Sequence, residues 1–157
     1  MSKATRATKM LEGAGIAFTL HSYAYDPDAE STGLQAAEAL GEAPGRVLKT
    51  LMAHVDGKPV CVIVPSDHEV SMKKLAAAFG GKSAQMMKPA DAERITGYKV
   101  GGISPFGQMR KVPAAIEERA LAHERVYVNG GQRGLQVRLS PKDVIALLDA
   151  RVAPVIA

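Results

Sequence analysis

The chain contains no tryptophan, and tyrosine and phenylalanine together make up only 4% of it. Proteins that grip single-stranded nucleic acid stack successive bases on several aromatic faces, and so few rings cannot build such a platform. Cysteine occurs once, as Cys61. No intrachain disulfide can form, and a reducing cytoplasm is the expected compartment. No apolar run approaches the roughly 20 residues that span a bilayer, so no membrane role is expected. The basic start Met1-Ser2-Lys3-Ala4-Thr5-Arg6 is followed by no continuous apolar stretch, and no secretory signal is expected.

Several catalytic signatures are also missing. There is no G-x-x-x-x-G-K-[ST] phosphate loop, no H-E-x-x-H and no paired C-x-x-C. His21, His54, His68 and His123 stand far apart. No metal site and no cofactor are therefore expected. Gly102-Ile103-Ser104-Pro105-Phe106 departs from the G-x-S-x-G nucleophile elbow, because Phe106 stands where the second glycine belongs. Cys61 lies inside Val60-Cys61-Val62-Ile63-Val64. It reads as a buried thiol filling a strand position rather than as a nucleophile.

What is present is ordinary globular composition. The 157 residues are 46% hydrophobic and 23% charged, enough for one compact domain with a packed core. The net charge is +4. That excess draws polyanions weakly, and many proteins with no nucleic-acid role carry as much.

The periodicity places the elements. Ala4, Ala7, Met10, Leu11 and Ala14 predict a helix over Ser2 to Ala14, ended by Gly13 and Gly15. Ile16, Phe18 and Leu20 alternate into a strand that runs to Tyr23. A short helix is predicted over Leu34 to Leu40. Val47 to Val55 and Val60 to Val64 flank Asp56-Gly57, a strong hairpin signal. Ser71 reads as the N-cap of a helix over Met72 to Phe79, and Pro89 to Thr96 as another, closed by Gly97. Val126 to Val128 and Leu135 to Leu139 bracket a glycine turn. Ser140-Pro141-Lys142-Asp143 opens a last helix. Strands and helices thus intersperse, with hairpins among them, which predicts a mixed α/β (α+β) fold with helices on a partly antiparallel sheet.

Four places stand out. On a strand over Val47 to Val55, Lys49 shares a face with Val47, Leu51, Ala53 and Val55. A lysine there either snorkels at the sheet rim or lines a site. Gly101-Gly102-Ile103-Ser104-Pro105 is a tight loop whose amides could form an oxyanion or phosphate nest, or a plain connection. Asn129-Gly130-Gly131-Gln132-Arg133-Gly134 holds the only asparagine. It suits a routine turn, with Arg133 either a phosphate contact or a solvated charge. Tyr23, between a strand and a turn, is either a ligand-positioning phenol or a half-buried rim residue.

Taken in order, Tyr23, Arg46-Val47-Leu48-Lys49-Thr50-Leu51, Thr96-Gly97-Tyr98-Lys99-Val100-Gly101-Gly102-Ile103-Ser104-Pro105-Phe106-Gly107 and Val126-Tyr127-Val128-Asn129-Gly130-Gly131-Gln132-Arg133-Gly134-Leu135 resemble the YbaK family. These are freestanding editing deacylases related to the domain inserted in bacterial prolyl-tRNA synthetases. The resemblance covers nearly the whole chain. It implies one domain over residues 1–157, built on a central, mostly antiparallel, barrel-like sheet flanked by helices. It implies hydrolysis of the ester between a tRNA 3′ end and a mischarged amino acid, most of all Cys-tRNA(Pro), without metal and with the substrate thiol as nucleophile. The partners it implies are mischarged tRNA and prolyl-tRNA synthetase. Lys49, Gly101 and Gly102 then match the catalytic positions. Tyr23, Thr32, Thr50, Ile103, Ser104, Asn129, Gly130, Gly131 and Arg133 fall in substrate-binding segments. Three positions depart from the common pattern: Asn129 stands where serine is frequent, Thr32 where phenylalanine is, and Tyr25 where histidine is. Another substrate such as Ala-tRNA(Pro), or a non-catalytic tRNA- or synthetase-binding module, would also fit these segments.

Overall fold

The computed structural model describes residues 4–157. Ser2 and Lys3 of the predicted first helix lie outside the described residues. Helix α1 covers Arg6–Gly13, and Thr5 caps it by a reciprocal pair of bonds with Thr8. Strand β1 is shorter than expected, at Thr19–Ser22. Helix α2 spans Thr32–Leu40 behind the N-cap Ser31 and ends at Gly41 in the left-handed region. A 3-10 turn over Pro44–Arg46 leads into β2, Leu48–Val55, and β3, Lys58–Pro65. Asp56 and Gly57 join these two strands with φ of 50° and 81°, the pair of positive angles that a two-residue hairpin turn needs.

Helix α3 is Met72–Ala78, capped by Ser71, and β4 is Ala84–Met86. Helix α4, Pro89–Thr96, stops at Gly97. Strand β5, Ala114–Glu117, runs into a 3-10 turn over Glu118–Ala122. Strands β6, Val126–Asn129, and β7, Leu135–Leu139, form the second hairpin. Helix α5, Pro141–Leu148, is capped by Ser140, and β8 is Arg151–Ala153.

The strands form two sheets, ordered β4-β2-β3-β5-β8 and β1-β7-β6. The β3–β5 and β5–β8 ladders are parallel and the others antiparallel. The mixed α/β, mostly antiparallel architecture is thus the expected one. The sheet does not close into a barrel: among the described residues the two sheets are joined by a single isolated parallel bridge, Val47 to Tyr127.

Strand alternation sorts β2 between two cores. Leu48 and Met52 join a cluster with Ile63, Phe106, Ile116, Val128 and Val137. Ala53 and Val55 join another with Val62, Val64 and Leu75. Strand β3 is buried on both faces between them, as a central strand must be.

Strand β4 covers the outer edge of β2 only from Ala53 to Val55, and just beyond it the Met87 N–H donates to the Met52 carbonyl at 3.1 Å. The Val47 carbonyl faces the other way, toward the Ser66 N–H at 2.9 Å. Backbone groups alternate between the edges of an antiparallel strand. Past the Val47–Tyr127 bridge, Thr50 therefore turns its N–H and C=O groups toward the uncovered edge.

Candidate active site

A cavity of about 350 Å³ opens at that uncovered edge. Leu48 to Met52 form one wall, Thr32 and Gly33 of α2 a second, and Gly101 and Ile103 a third, with Asn129, Gln136 and Glu69 completing it. Of the residues singled out in the sequence, Lys49, Thr50, Thr32, Gly101, Ile103 and Asn129 line this space.

Lys49 is half-buried against the wall and paired. Its side chain is 18% exposed, and Nζ lies 3.7 Å from Glu69 Oε1. Glu69 is 88% exposed, so this ion pair contributes little and the ammonium remains able to turn to an incoming oxygen. Nothing in the sequence marked Glu69, because its partner is 20 positions away on another element.

The two glycine segments are pressed together. A Cβ on Gly102 would stand 2.8 Å from the Arg133 backbone nitrogen, and one on Gly101, at φ +90°, 2.7 Å from the Tyr25 hydroxyl. The Gly102 N–H is spent on the Lys99 carbonyl at 2.7 Å, so Gly102 serves close approach rather than donation. The amides of Gly101 and Ile103 have no hydrogen-bond partner among the described residues, and both line the cavity. They are the donors this loop offers an anionic oxygen.

Asn129 clamps the segments to each other. Its Nδ2 donates to the Gly101 carbonyl at 3.2 Å, and its Oδ1 accepts from the Gly131 N–H at 2.7 Å. An amide carries both a donor and an acceptor at that reach. Arg133 adds a second tie, Nε to the Val100 carbonyl at 2.9 Å, with its guanidinium 5.3 Å from the Tyr25 ring centre. The Gly130 carbonyl accepts from Thr5 Oγ1 at 2.6 Å, anchoring the turn to the start of α1. Ser104 is fully buried; its Oγ accepts from the Phe106 N–H at 3.2 Å and shapes the loop from behind. Gly102, Ser104, Gly130, Gly131 and Arg133 thus hold the wall without forming it.

Three buried polar atoms have no partner among the described residues: Tyr23 Oη, Thr50 Oγ1 and Gln136 Oε1. The Tyr23 ring packs against Ala36, Ala37 and Val47. Burial raises its phenol pKa, an effect partly offset by the Gln136 side chain beside it, although the two do not reach full hydrogen-bond geometry. Gln136 is 3% exposed and pairs in register with Asn129. No local signal marks it, since a single glutamine in an alternating strand reads as an outward residue. Cys61 lies elsewhere, buried, its pKa pushed up to about 12 by desolvation; it is an unreactive thiol, as its strand position implies. Among the described residues no group of three His, Cys, Asp or Glu gathers as a metal-ligand set.

Comparison with known proteins gives this geometry a family. Residues 26–147 match the aminoacyl-tRNA editing domain. The chain is 35% identical over 156 residues to an Enterococcus faecalis protein named "Putative Cys-tRNA(Pro)/Cys-tRNA(Cys) deacylase EbsC", covering 96% of this chain and 92% of that one. It is 32% identical over 101 residues to a proline–tRNA ligase of Geobacillus thermodenitrificans, 64% of this chain but only 17% of the ligase. A crystal structure described as "a putative trans-editing enzyme for prolyl tRNA synthetase" superposes with a TM-score of 0.83 at 25% identity, covering 100% of this chain and 98% of that one. This chain belongs to the aminoacyl-tRNA editing domain family.

Proposed function

We propose that this protein hydrolyses the ester between a mischarged amino acid and the 3′ end of tRNA, with Cys-tRNA(Pro) as its substrate and the substrate's own thiol as the nucleophile. The observation that carries this reading is the composition of the cavity. Among the described residues it offers an ammonium, Lys49, and two unpartnered amides, Gly101 and Ile103, and it is lined by no histidine or cysteine; its carboxylates are Glu30 and Glu69, the latter exposed and paired with Lys49. Such a site can hold and stabilise a developing oxyanion, and a nucleophile carried by the substrate completes it. A cysteinyl ester brings one. Its sulfur, as thiolate, adds to the ester carbonyl, the C–O bond to the ribose breaks, and the ribose oxygen takes up the proton the thiol gave away. Water then opens the resulting thiolactone. The Lys49 ammonium serves the tRNA terminus, contacting phosphate or ribose oxygens.

The relatives' names support the substrate class and a partnership with prolyl-tRNA synthetase. A net charge of +4 is modest for gripping tRNA unaided, which favours borrowing affinity from that enzyme.

The test is single-turnover deacylation of Cys-, Ser-, Ala- and Pro-charged tRNA(Pro), with and without a chelator. Cys-tRNA(Pro) should react fastest, and Ser-tRNA(Pro) far more slowly, because a hydroxyl is much less ionised than a thiol near neutral pH. Chelator should change neither rate. Equal rates on the cysteinyl and seryl esters would replace the thiol by an enzyme-activated water. Preference for Ala-tRNA(Pro) would overturn the substrate assignment.

A further inference from the structure

We infer that Gln136 receives the free α-ammonium of the substrate amino acid, so that the site admits aminoacyl esters and rejects N-blocked ones. The inference rests on the reading above that the cavity takes an aminoacyl-tRNA ester.

The observation behind it is an acceptor without a donor. Gln136 is 3% exposed, lines the cavity, and its Oε1 has no partner among the described residues. Leaving a buried polar atom unpaired is costly, and the residue that carries this one lines the cavity, where a ligand group can supply the partner. That group must bring hydrogen. An amide oxygen only accepts, whereas the neighbouring Tyr23 hydroxyl and the cavity-lining Thr50 hydroxyl can accept as well as donate. An ammonium, with three N–H donors and no lone pair, matches such surroundings.

Position favours the α-ammonium over other donors of the substrate. Gln136 pairs in register with Asn129, and Asn129 holds the Gly101 carbonyl. The unpartnered Gly101 and Ile103 amides, which would face the ester carbonyl, therefore lie next to the strand pair that carries Gln136. Neighbouring strands are about 4.8 Å apart, a separation that a glutamine side chain bridges. The α-nitrogen is two bonds from the carbonyl carbon, so a carbonyl seated on the loop brings its amino group toward Gln136. The acceptor is neutral, so its interaction with the ammonium does not depend on a carboxylate titrating.

The experiment compares single-turnover rates on Cys-tRNA(Pro) and N-acetyl-Cys-tRNA(Pro) for the native protein, Gln136→Leu and Gln136→Glu, and reads the ratio of the two rates for each. Acetylation also alters the thiol, but that effect is common to all three proteins and cancels when the ratios are compared. A hydrogen bond to a charged group corresponds to about a ten- to hundredfold effect. The ratio should fall by that factor in Gln136→Leu and be retained in Gln136→Glu, which keeps an acceptor. If the leucine variant does not fold, Gln136→Met, of similar length and without the amide, gives the same reading. An unchanged ratio in the variant lacking the acceptor overturns the inference while leaving the deacylase reading standing. Absence of any aminoacyl-tRNA hydrolysis by the native protein overturns that reading, and the inference with it.

Discussion

The two ends of β2 solve opposite problems with similar materials. At one end, the Asp56-Gly57 turn uses a glycine at positive φ and a polar side chain, and it is closed. The Asp56 carboxylate accepts from the Lys82 and Ser83 N–H groups at 3.0–3.1 Å, and the Asp56 N–H donates to the Ser83 carbonyl at 3.0 Å. At the other end, the two glycine segments are just as tightly braced by Asn129 and Arg133. Yet around them the Gly101 and Ile103 amides and the buried Thr50 Oγ1 and Gln136 Oε1 are without partners among the described residues. Saturation marks the end that holds the fold together; unsatisfied groups in a braced frame mark the end that we propose receives the ligand.

This contrast can be broken from either side. The largest effect is expected from Lys49→Met, which keeps most of the stem and discards the charge. Losing a charge-assisted contact of about 1.5–3 kcal/mol should slow single-turnover deacylation about ten- to hundredfold, while the thermal midpoint barely moves. Asn129→Leu comes next. It frees the Gly101 carbonyl and the Gly131 N–H, and each neutral hydrogen bond is worth about 0.5–1.5 kcal/mol. Deacylation should fall severalfold as the loop amides lose their aim, with a smaller drop in midpoint.

Asp56→Ala should do the reverse. Losing the carboxylate that holds two backbone N–H groups should cost about 1 kcal/mol, a midpoint shift of about 2–4 °C for a chain of this size, with the deacylation rate unchanged.

A last effect, confined to alkaline pH, concerns Cys61. Its folded pKa, about 12, lies above the ordinary 9.0. The stability tied to the neutral buried thiol is therefore fully present below pH 9 and lost as pH rises toward 12. Chemical denaturation above pH 9 should show that loss, and Cys61→Ala should flatten it.

Local signals account for what was legible. The Asp56-Gly57 hairpin, the Ser71 and Ser140 caps and the Gly97 stop are written within a few residues and stand where expected. Strands β4, β5 and β8 are not written locally. They are three or four residues long and rely on partners far along the chain, and Ala114-Ala115-Ile116-Glu117 has little β-propensity of its own. In the site, strand parity pointed to Lys49, and glycine pairs pointed to the loops. Which amide is free and which is spent could not be read, because the bond from Gly102 to Lys99 depends on how the loop folds back. Gln136 became visible only once the register with Asn129 and the cavity wall were known.

The most direct test of the contrast is a crossed pair of measurements, thermal midpoint and single-turnover deacylation of Cys-tRNA(Pro), on Lys49→Met and Asp56→Ala side by side. Turnover should collapse in the first with the midpoint held, and the midpoint should drop in the second with turnover held. Unchanged turnover in Lys49→Met, or equal loss of activity in both variants, would mean that the cavity at the open edge of β2 is not where the ester is cleaved.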